Sequence, residues 1–362
     1  MKIRRKVTLS IAGTLVLFLL FLMYAPFSFA VRSNKSDFNE VLKSAELSDD
    51  VLVTEVKMLG AHDAFSHKIN LLSKVDPAET GIASNKIAKA VFKGGIVRAA
   101  RAQKHGAKEL LQSGVRYFDV RISYALDTWY TKHAYLSAPL VEYLSEIYTF
   151  LNTYKTEFII FDVQHIYTGE KSVNDFINYL NSHALNGNVF SDYMHFDAET
   201  VALSSLRYKD TLSATKGGII FLINSDESIT NVNKQYFYER GDGESATSNI
   251  RSFWHNENET KNIIPQINAE KDYLKANTFT GLRVNQAQLT PDYLKAPIRT
   301  LWQWTLLDLA NHSNNLLLSH DNFLEWLSVM PIFMVDHASS GYKNFAQTIN
   351  QAMITANKQL SV

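Results

Sequence analysis

Past residue 50 the chain alternates between two hydrophobic periods. Short apolar runs fall at 51–58, 115–122, 158–163, 217–223, 280–287 and 331–336. They are too short for helices, and the unbroken ones, such as Phe158-Ile159-Ile160-Phe161, read as strands buried on both faces of a parallel sheet. Between them the period lengthens. Leu140, Leu144, Ile147, Tyr148 and Leu151 recur at helical spacing within 139–154 and predict an amphipathic helix packed back on the sheet. Further helices are expected at 99–112, 173–182, 301–311 and 322–329, and 65–95 reads as loop and helix broken by Pro77 and Gly81. Strand, helix, strand, repeated without a shift in composition, predicts an α/β chain folded as one distorted TIM-type β/α barrel.

The segment 226–259 departs from this alternation. It carries Gly241-Asp242-Gly243, many Asn and Ser, and the aromatics Tyr236, Phe237, Tyr238, Phe253 and Trp254. It reads as a long structural loop with its rings packed down; a membrane-facing loop is the alternative, since such rings sit well at an interface.

The N-terminus changes the picture of charge and location. Across 362 residues, 36 basic side chains balance 36 acidic ones, but Lys2, Arg4, Arg5 and Lys6 precede an apolar run from Val7 to Ala30 that holds no charge. Without those four cations the rest carries 32 basic against 36 acidic side chains, a formal net of −4. A weakly acidic body argues against non-specific nucleic-acid binding. The basic start, the apolar run and Ser28-Phe29-Ala30 predict a signal peptide over 1–30, with an uncleaved anchor as the alternative. Residues 31–50 then form a spacer and a capping helix over the barrel bottom, and 51–362 the catalytic barrel, secreted or otherwise extracytoplasmic. The chain has no cysteine, which excludes a disulfide framework, a thiolate nucleophile and a Cys-based zinc site. One large monomeric core must hold the fold.

The candidate chemistry lies where the predicted strands end. Gly60 frees the backbone for a turn before His62-Asp63. In Gly114-Val115-Arg116-Tyr117-Phe118-Asp119-Val120-Arg121 the period of two puts Asp119 and Arg121 on one face, and burying Arg116, Asp119 and Arg121 together is expected to be costly. His133 follows in a second aromatic run, and Asp336 ends the last strand. Working groups of a β/α barrel sit at such positions. Two imidazoles and a guanidinium supply a base, an acid and a charge stabiliser, the parts that cleavage of a phosphodiester requires. The other histidines, His67 and His337 among them, are given no role.

Leu59-Gly60-Ala61-His62-Asp63, Gly114 to Arg121, His133, Glu157-Phe158-Ile159-Ile160 and Val335-Asp336 resemble, in order and spacing, the catalytic domain of bacterial phosphatidylinositol-specific phospholipase C, from about Leu52 to about Ala338. The resemblance implies that His62 deprotonates the inositol 2-hydroxyl, that His133 protonates the departing diacylglycerol oxygen, and that Asp336 and Asp63 support His62 and His133. It also implies that Arg121, oriented by Asp119, stands where calcium-dependent relatives carry a metal-binding carboxylate, so no metal or other cofactor is expected. The partner is an inositol phospholipid at a membrane surface. The chain departs from the pattern around the headgroup: Gln164 and His165 replace lysines, Asn224 replaces an arginine, and Ala134 replaces a glycine. Gln164, His165 and Asn224 remain able to contact a polyol. Two other readings are a metal-dependent glycerophosphodiester phosphodiesterase, which usually opens with His-Arg-Gly where this chain has His62-Asp63-Ala64, and an inactive lipid- or glycan-binding barrel.

The export expectation is checked by N-terminal sequencing of the secreted protein, which should start at or near Val31; an intact Met1 in the membrane fraction identifies an anchor instead.

Overall fold

The computed structural model describes residues 13–17, 37–226, 228–245, 247–291 and 305–361. The expected signal segment and spacer, apart from 13–17, lie outside the described residues up to residue 36, as do residues 301–304 of an expected helix. Among the described residues no helix is long and apolar enough to cross a membrane.

Among the described residues ten strands form one sheet: β1 (Met58–Ala61), β2 (Val115–Ala125), β3 (Thr128–His133), β4 (Tyr135–Pro139), β5 (Phe158–Tyr167), β6 (Gly218–Ile223), β7 (Tyr238–Glu239), β8 (Ile250–Phe253), β9 (Leu282–Gln286) and β10 (Ile332–Val335). Eight run parallel in the order β7-β6-β5-β2-β1-β10-β9-β8, while β3 and β4 hang from β2 as an antiparallel extension. The result is a mostly parallel, curled sheet flanked by helices, consistent with a distorted TIM-type barrel. Side chains alternate across it. Met58, Tyr117, Phe158, Ile160, Ile220, Leu222, Val284 and Met334 fill the interior. Leu59, Phe118, Val120, Ile159, Phe161, Phe221 and Phe333 meet the helices outside, among them Leu140–Thr153 and Val173–Ser182. Leu140–Thr153, Val173–Ser182 and Phe323–Val329 lie close to their predicted ranges because an apolar stripe is buried where the spacing offers one, whereas Thr260–Ala276 and Phe345–Lys358 were not expected.

Several expectations change. The apolar stretch 51–58 is not a strand: Val53–Glu55 turns as a 3-10 helix, and the backbone pairs with a loop through Val53 N–H to Leu206 O and Tyr208 N–H to Val51 O. Gly60 lies inside β1 rather than in a turn. A Cβ there would stand 2.9 Å from Tyr117 and 3.1 Å from Met334, so its missing side chain is what lets those two fill the interior. The helix expected over 99–112 is two, Lys86–Ala99 and Ala107–Gln112. The chain between them is drawn off helical geometry by Ala102 and Gln103 N–H groups donating to Ser66 Oγ at 3.1 and 3.2 Å. The segment 226–259 contributes β7 and β8, with Phe237 and Tyr238 buried and Phe253 and Trp254 exposed.

Of the three charged side chains of this strand, β2, Arg116 and Asp119 are buried while Arg121 stays partly exposed, and the deepest pair of charges is locally compensated. Arg116 is fully buried, its Nε 2.8 Å from Glu157 Oε2, and its remaining N–H groups donate to the carbonyls of Leu111, Val115, Phe38 and Asn39. Glu157 also accepts from Leu42 and Lys43 N–H, both at 3.0 Å, and so ties the short helix Val41–Ser44 to the sheet. Removing one partner of such a pair strands the other. Glu157→Leu is expected to cost about 3–5 kcal/mol, read as a lower denaturant midpoint, and adding Arg116→Met should recover most of that loss.

Candidate active site

The hairpin that delivers His133 begins where β2 outruns the barrel. Leu126 and Asp127 both have positive φ, 52° and 61°, the backbone of a two-residue turn whose twist matches the strands it joins. This turn folds β3 back along β2 with Thr131 opposite Ile122. His133 therefore arrives on an antiparallel extension and not at the end of a barrel strand. Ala134 follows with φ 56°, a left-handed conformation that a glycine adopts at no steric cost. On β1 the chain kinks at once, Asp63 having φ 40°. Asp119 clamps the kink: its Oδ2 accepts from Asp63 N–H at 3.3 Å and its backbone carbonyl from Ala64 N–H at 2.7 Å.

The expected residues converge on the Asp63 carboxylate, which is buried. Its Oδ1 pairs with Arg121 Nε, and its Oδ2 lies 3.4 Å from His62 Nε2 and 3.3 Å from His133 Nε2. Asp336 Oδ1 stands 2.7 Å from His62 Nδ1, and Ala100 O accepts from His133 Nδ1 at 3.0 Å. Both rings thus have one nitrogen anchored and Nε2 facing the shared carboxylate, their centroids 6.5 Å apart. Asp119 sits one layer deeper, 3.9 Å from His62 Nε2; the carboxylate paired with Arg121 Nε is that of Asp63. Gln164 Oε1 accepts from Arg121 Nη2 at 3.3 Å.

Electrostatics separate the two imidazoles. Burial opposes charge on His62, but Asp63, Asp336 and Asp119 outweigh it and raise the ring to about 9. Burial holds His133 down, and Arg121 and His62 hold it lower still, at about 4, despite Asp63. Asp63 is also buried, yet Arg121 and the two histidines keep it well below the usual carboxylate range. Asp119 is pushed up to about 6, by burial first and then by Asp63 against the pull of His62. At neutral pH the resting site therefore carries its proton on His62.

A cavity of about 370 Å³ opens over this cluster, lined by His62, Asp63, Arg121, His133, Gln164, His165 and Asp336 on one side. Asn224, expected near the headgroup, is exposed beyond β6 and does not line it. Sequence reasoning missed the opposite wall of Ser252, Trp254, Gln286 and Gln288, whose neutral side chains carry no spacing signal. It also missed Gln103, whose Nε2 donates to His62 O at 2.8 Å and Val335 O at 3.0 Å and so holds the ends of β1 and β10 together. A metal ion would find ligand atoms of His62, Asp63 and Asp119 within 4.8 Å of one another. The Arg121 guanidinium, however, already pairs with Asp63, and its Nη2 lies 3.5 Å from His62 Nε2, so a fixed cation lies against two of the three.

This fold is that of the phosphatidylinositol-specific phospholipases C, and the chain is similar to proteins of that type in both structure and sequence. The enzyme from Staphylococcus aureus, solved as its F249X mutant, superposes with a TM-score of 0.58 at 16% identity over 88% of this chain and 99% of that one. The phosphatidylinositol-specific phospholipase C of Listeria monocytogenes superposes with a TM-score of 0.58 at 18% identity over 88% and 98%. By sequence, a variant-surface-glycoprotein phospholipase C of Trypanosoma cruzi is 29% identical over 133 residues, 34% of this chain and 35% of that protein. PI-PLC X domain-containing protein 3 of Bos taurus is 31% identical over 129 residues, 33% and 39% of the two chains. The chain thus spans little more than a third of the length of these curated relatives. No protein-family model matches the sequence.

The separation of the imidazoles is checked by NMR titration of the free protein: His62 should titrate near 9 and His133 near 4, and Asp336→Asn, which removes one raising charge, should move the His62 midpoint down.

Proposed function

We propose that the protein is an extracytoplasmic, metal-independent phosphodiesterase of the phosphatidylinositol-specific phospholipase C type. The observation that carries the reading is the meeting of His62, His133 and Arg121 around one buried carboxylate, beneath a cavity and on this fold. In the proposed reaction His62 takes the proton of the inositol 2-hydroxyl. That oxygen attacks its own phosphorus, the bond to the diacylglycerol oxygen breaks, and His133 gives that oxygen a proton, leaving inositol 1,2-cyclic phosphate and diacylglycerol. Arg121 stabilises the charge that builds on the phosphoryl oxygens, the task a metal ion performs elsewhere.

Charge balance makes the cycle workable. A phosphoryl anion beside Arg121 and His133 offsets the positive groups that hold His133 down, and lifts it toward the protonated form an acid needs. His62 must first be neutral, and its base-competent fraction grows as pH rises toward about 9. The acid limb of kcat/KM is therefore expected in that region. The resting proton on His62 also favours a second reading, in which His62 is the acid and His133 the base.

Mutants separate the two. His62→Ala and His133→Ala should each lose about 100- to 10,000-fold in turnover of phosphatidylinositol. A substrate with a nitrophenolate leaving group, which needs no proton, should partly rescue His133→Ala and not His62→Ala; the reverse pattern assigns the swapped roles.

Activity of the unmutated protein should survive excess chelator, and Arg121→Lys should lose about 100-fold or more, because the ammonium keeps the charge without the planar fork. Loss of activity in chelator would instead favour a metal-dependent phosphodiesterase. Absence of turnover on any inositol lipid would leave a binding barrel.

A further inference from the structure

The wall of the cavity opposite Arg121 has a hydrogen-bond direction that can be deduced from one fixed point. The Gln286 side-chain nitrogen lies 2.9 Å from Ser252 O and 2.8 Å from Ser252 Oγ. A backbone carbonyl only accepts, so the atom facing it must be the amide N–H group, and Gln286 Oε1 must be the free acceptor. Gln288 meets that oxygen at 2.8 Å and must therefore present its own nitrogen. This leaves Gln288 Oε1 as the end of the chain. It is buried, has no hydrogen-bond partner, and belongs to a side chain that lines the cavity and is 3% exposed. An unpaired buried acceptor is destabilising, a cost that a bound donor removes. At the other end Ser252 Oγ already accepts from Gln286, so its hydroxyl hydrogen is available to donate.

We propose that this wall, with Gln288 as its acceptor and Ser252 as its donor, reads the ring hydroxyls of the polyol headgroup, and that Gln288 is a specificity-determining residue; the proposal rests on the reaction assigned above. The relay is what makes Gln288 selective. Its amide cannot flip to offer a donor without setting oxygen against oxygen at Gln286, and Gln286 cannot flip without setting oxygen against Ser252 O. Oε1 is thus held as an acceptor that pairs with a hydroxyl hydrogen and repels any group bearing only lone pairs. Trp254, which donates through Nε1 to Thr290 Oγ1 at 3.0 Å, forms the rim on the same side.

The test compares unmutated protein, Gln288→Met and Ser252→Ala on phosphatidylinositol and on analogues with single ring hydroxyls replaced by fluorine, which cannot donate. With the unmutated protein, one fluoro analogue should lose about 10- to 100-fold in kcat/KM. Gln288→Met should raise KM for the natural lipid about 10-fold with kcat within a few-fold, and should no longer distinguish that analogue. Ser252→Ala should keep the discrimination, because Ser252 O still orients Gln286. A parallel NMR measurement follows the Gln288 side-chain amide of unmutated protein as myo-inositol is added. A shift without turnover overturns the reaction and supports the wall. Turnover with a Gln288→Met variant that is folded, unchanged in KM and equally discriminating overturns the wall and leaves the reaction standing. Absence of any myo-inositol shift also overturns the wall.

Discussion

One buried carboxylate facing three cationic or potentially cationic groups organises the site. Asp63 cannot be removed from water as an anion unless something compensates it, and Arg121 does so directly while two imidazoles share the other oxygen. The compensation runs both ways. Because Asp63 stays ionised it raises His62, and because Arg121 and His62 are then positive, His133 is held neutral. A single anion thus sets different protonation states on two chemically identical side chains, the kind of separation on which distinct acid and base roles depend.

Two further sets of buried charge in the barrel, at Asp162 and at Arg116, are locally balanced. Asp162, inside the sheet, accepts from Tyr117 Oη at 2.6 Å and from Arg240 Nε at 2.6 Å; Arg240 also receives Asn249 N–H on its carbonyl at 3.1 Å. That network joins β5 to the segment between β7 and β8, where these two end strands of the sheet approach each other. At the opposite end Arg116 and Glu157 bind the N-terminal segment. Polar layers above and below an apolar interior therefore do structural work that side-chain volume alone would leave to chance.

The sequence made β2, β5, β6, β9 and β10 and the helices Leu140–Thr153, Val173–Ser182 and Phe323–Val329 legible because their apolar spacing has one geometric solution. His62, Asp63 and Asp336 were legible because they follow such strands, while Arg121, inside β2, and His133, on the antiparallel extension, were legible from their residue types and spacing. What stayed hidden has physical reasons. β8 lies in a stretch so polar that period two is lost, with Arg251 and Ser252 facing a half-buried environment. The 51–58 run carried strand propensity but found its partners in a loop, since propensity yields to tertiary context. Arg116 looked too costly to bury because its compensating carbonyls come from four positions, two of them 77 and 78 residues away. The amide wall was invisible because glutamine at a strand end has no distinctive pattern until its neighbours are known.

The irregularity in β5 has a consequence for how this pocket can change. Val120 is opposite Val163 but Arg121 is opposite His165, so Gln164 is an extra residue that breaks the alternation of faces. That break is what allows two consecutive side chains, Gln164 and His165, to line the same cavity. The composition of the pocket floor is thus a matter of parity as well as identity. Deleting one residue there would restore strict alternation and turn one of the two outward, a change of cavity lining with no amino-acid replacement at all. Length variation in this strand is therefore a route to an altered pocket lining that leaves His62, His133 and Arg121 untouched.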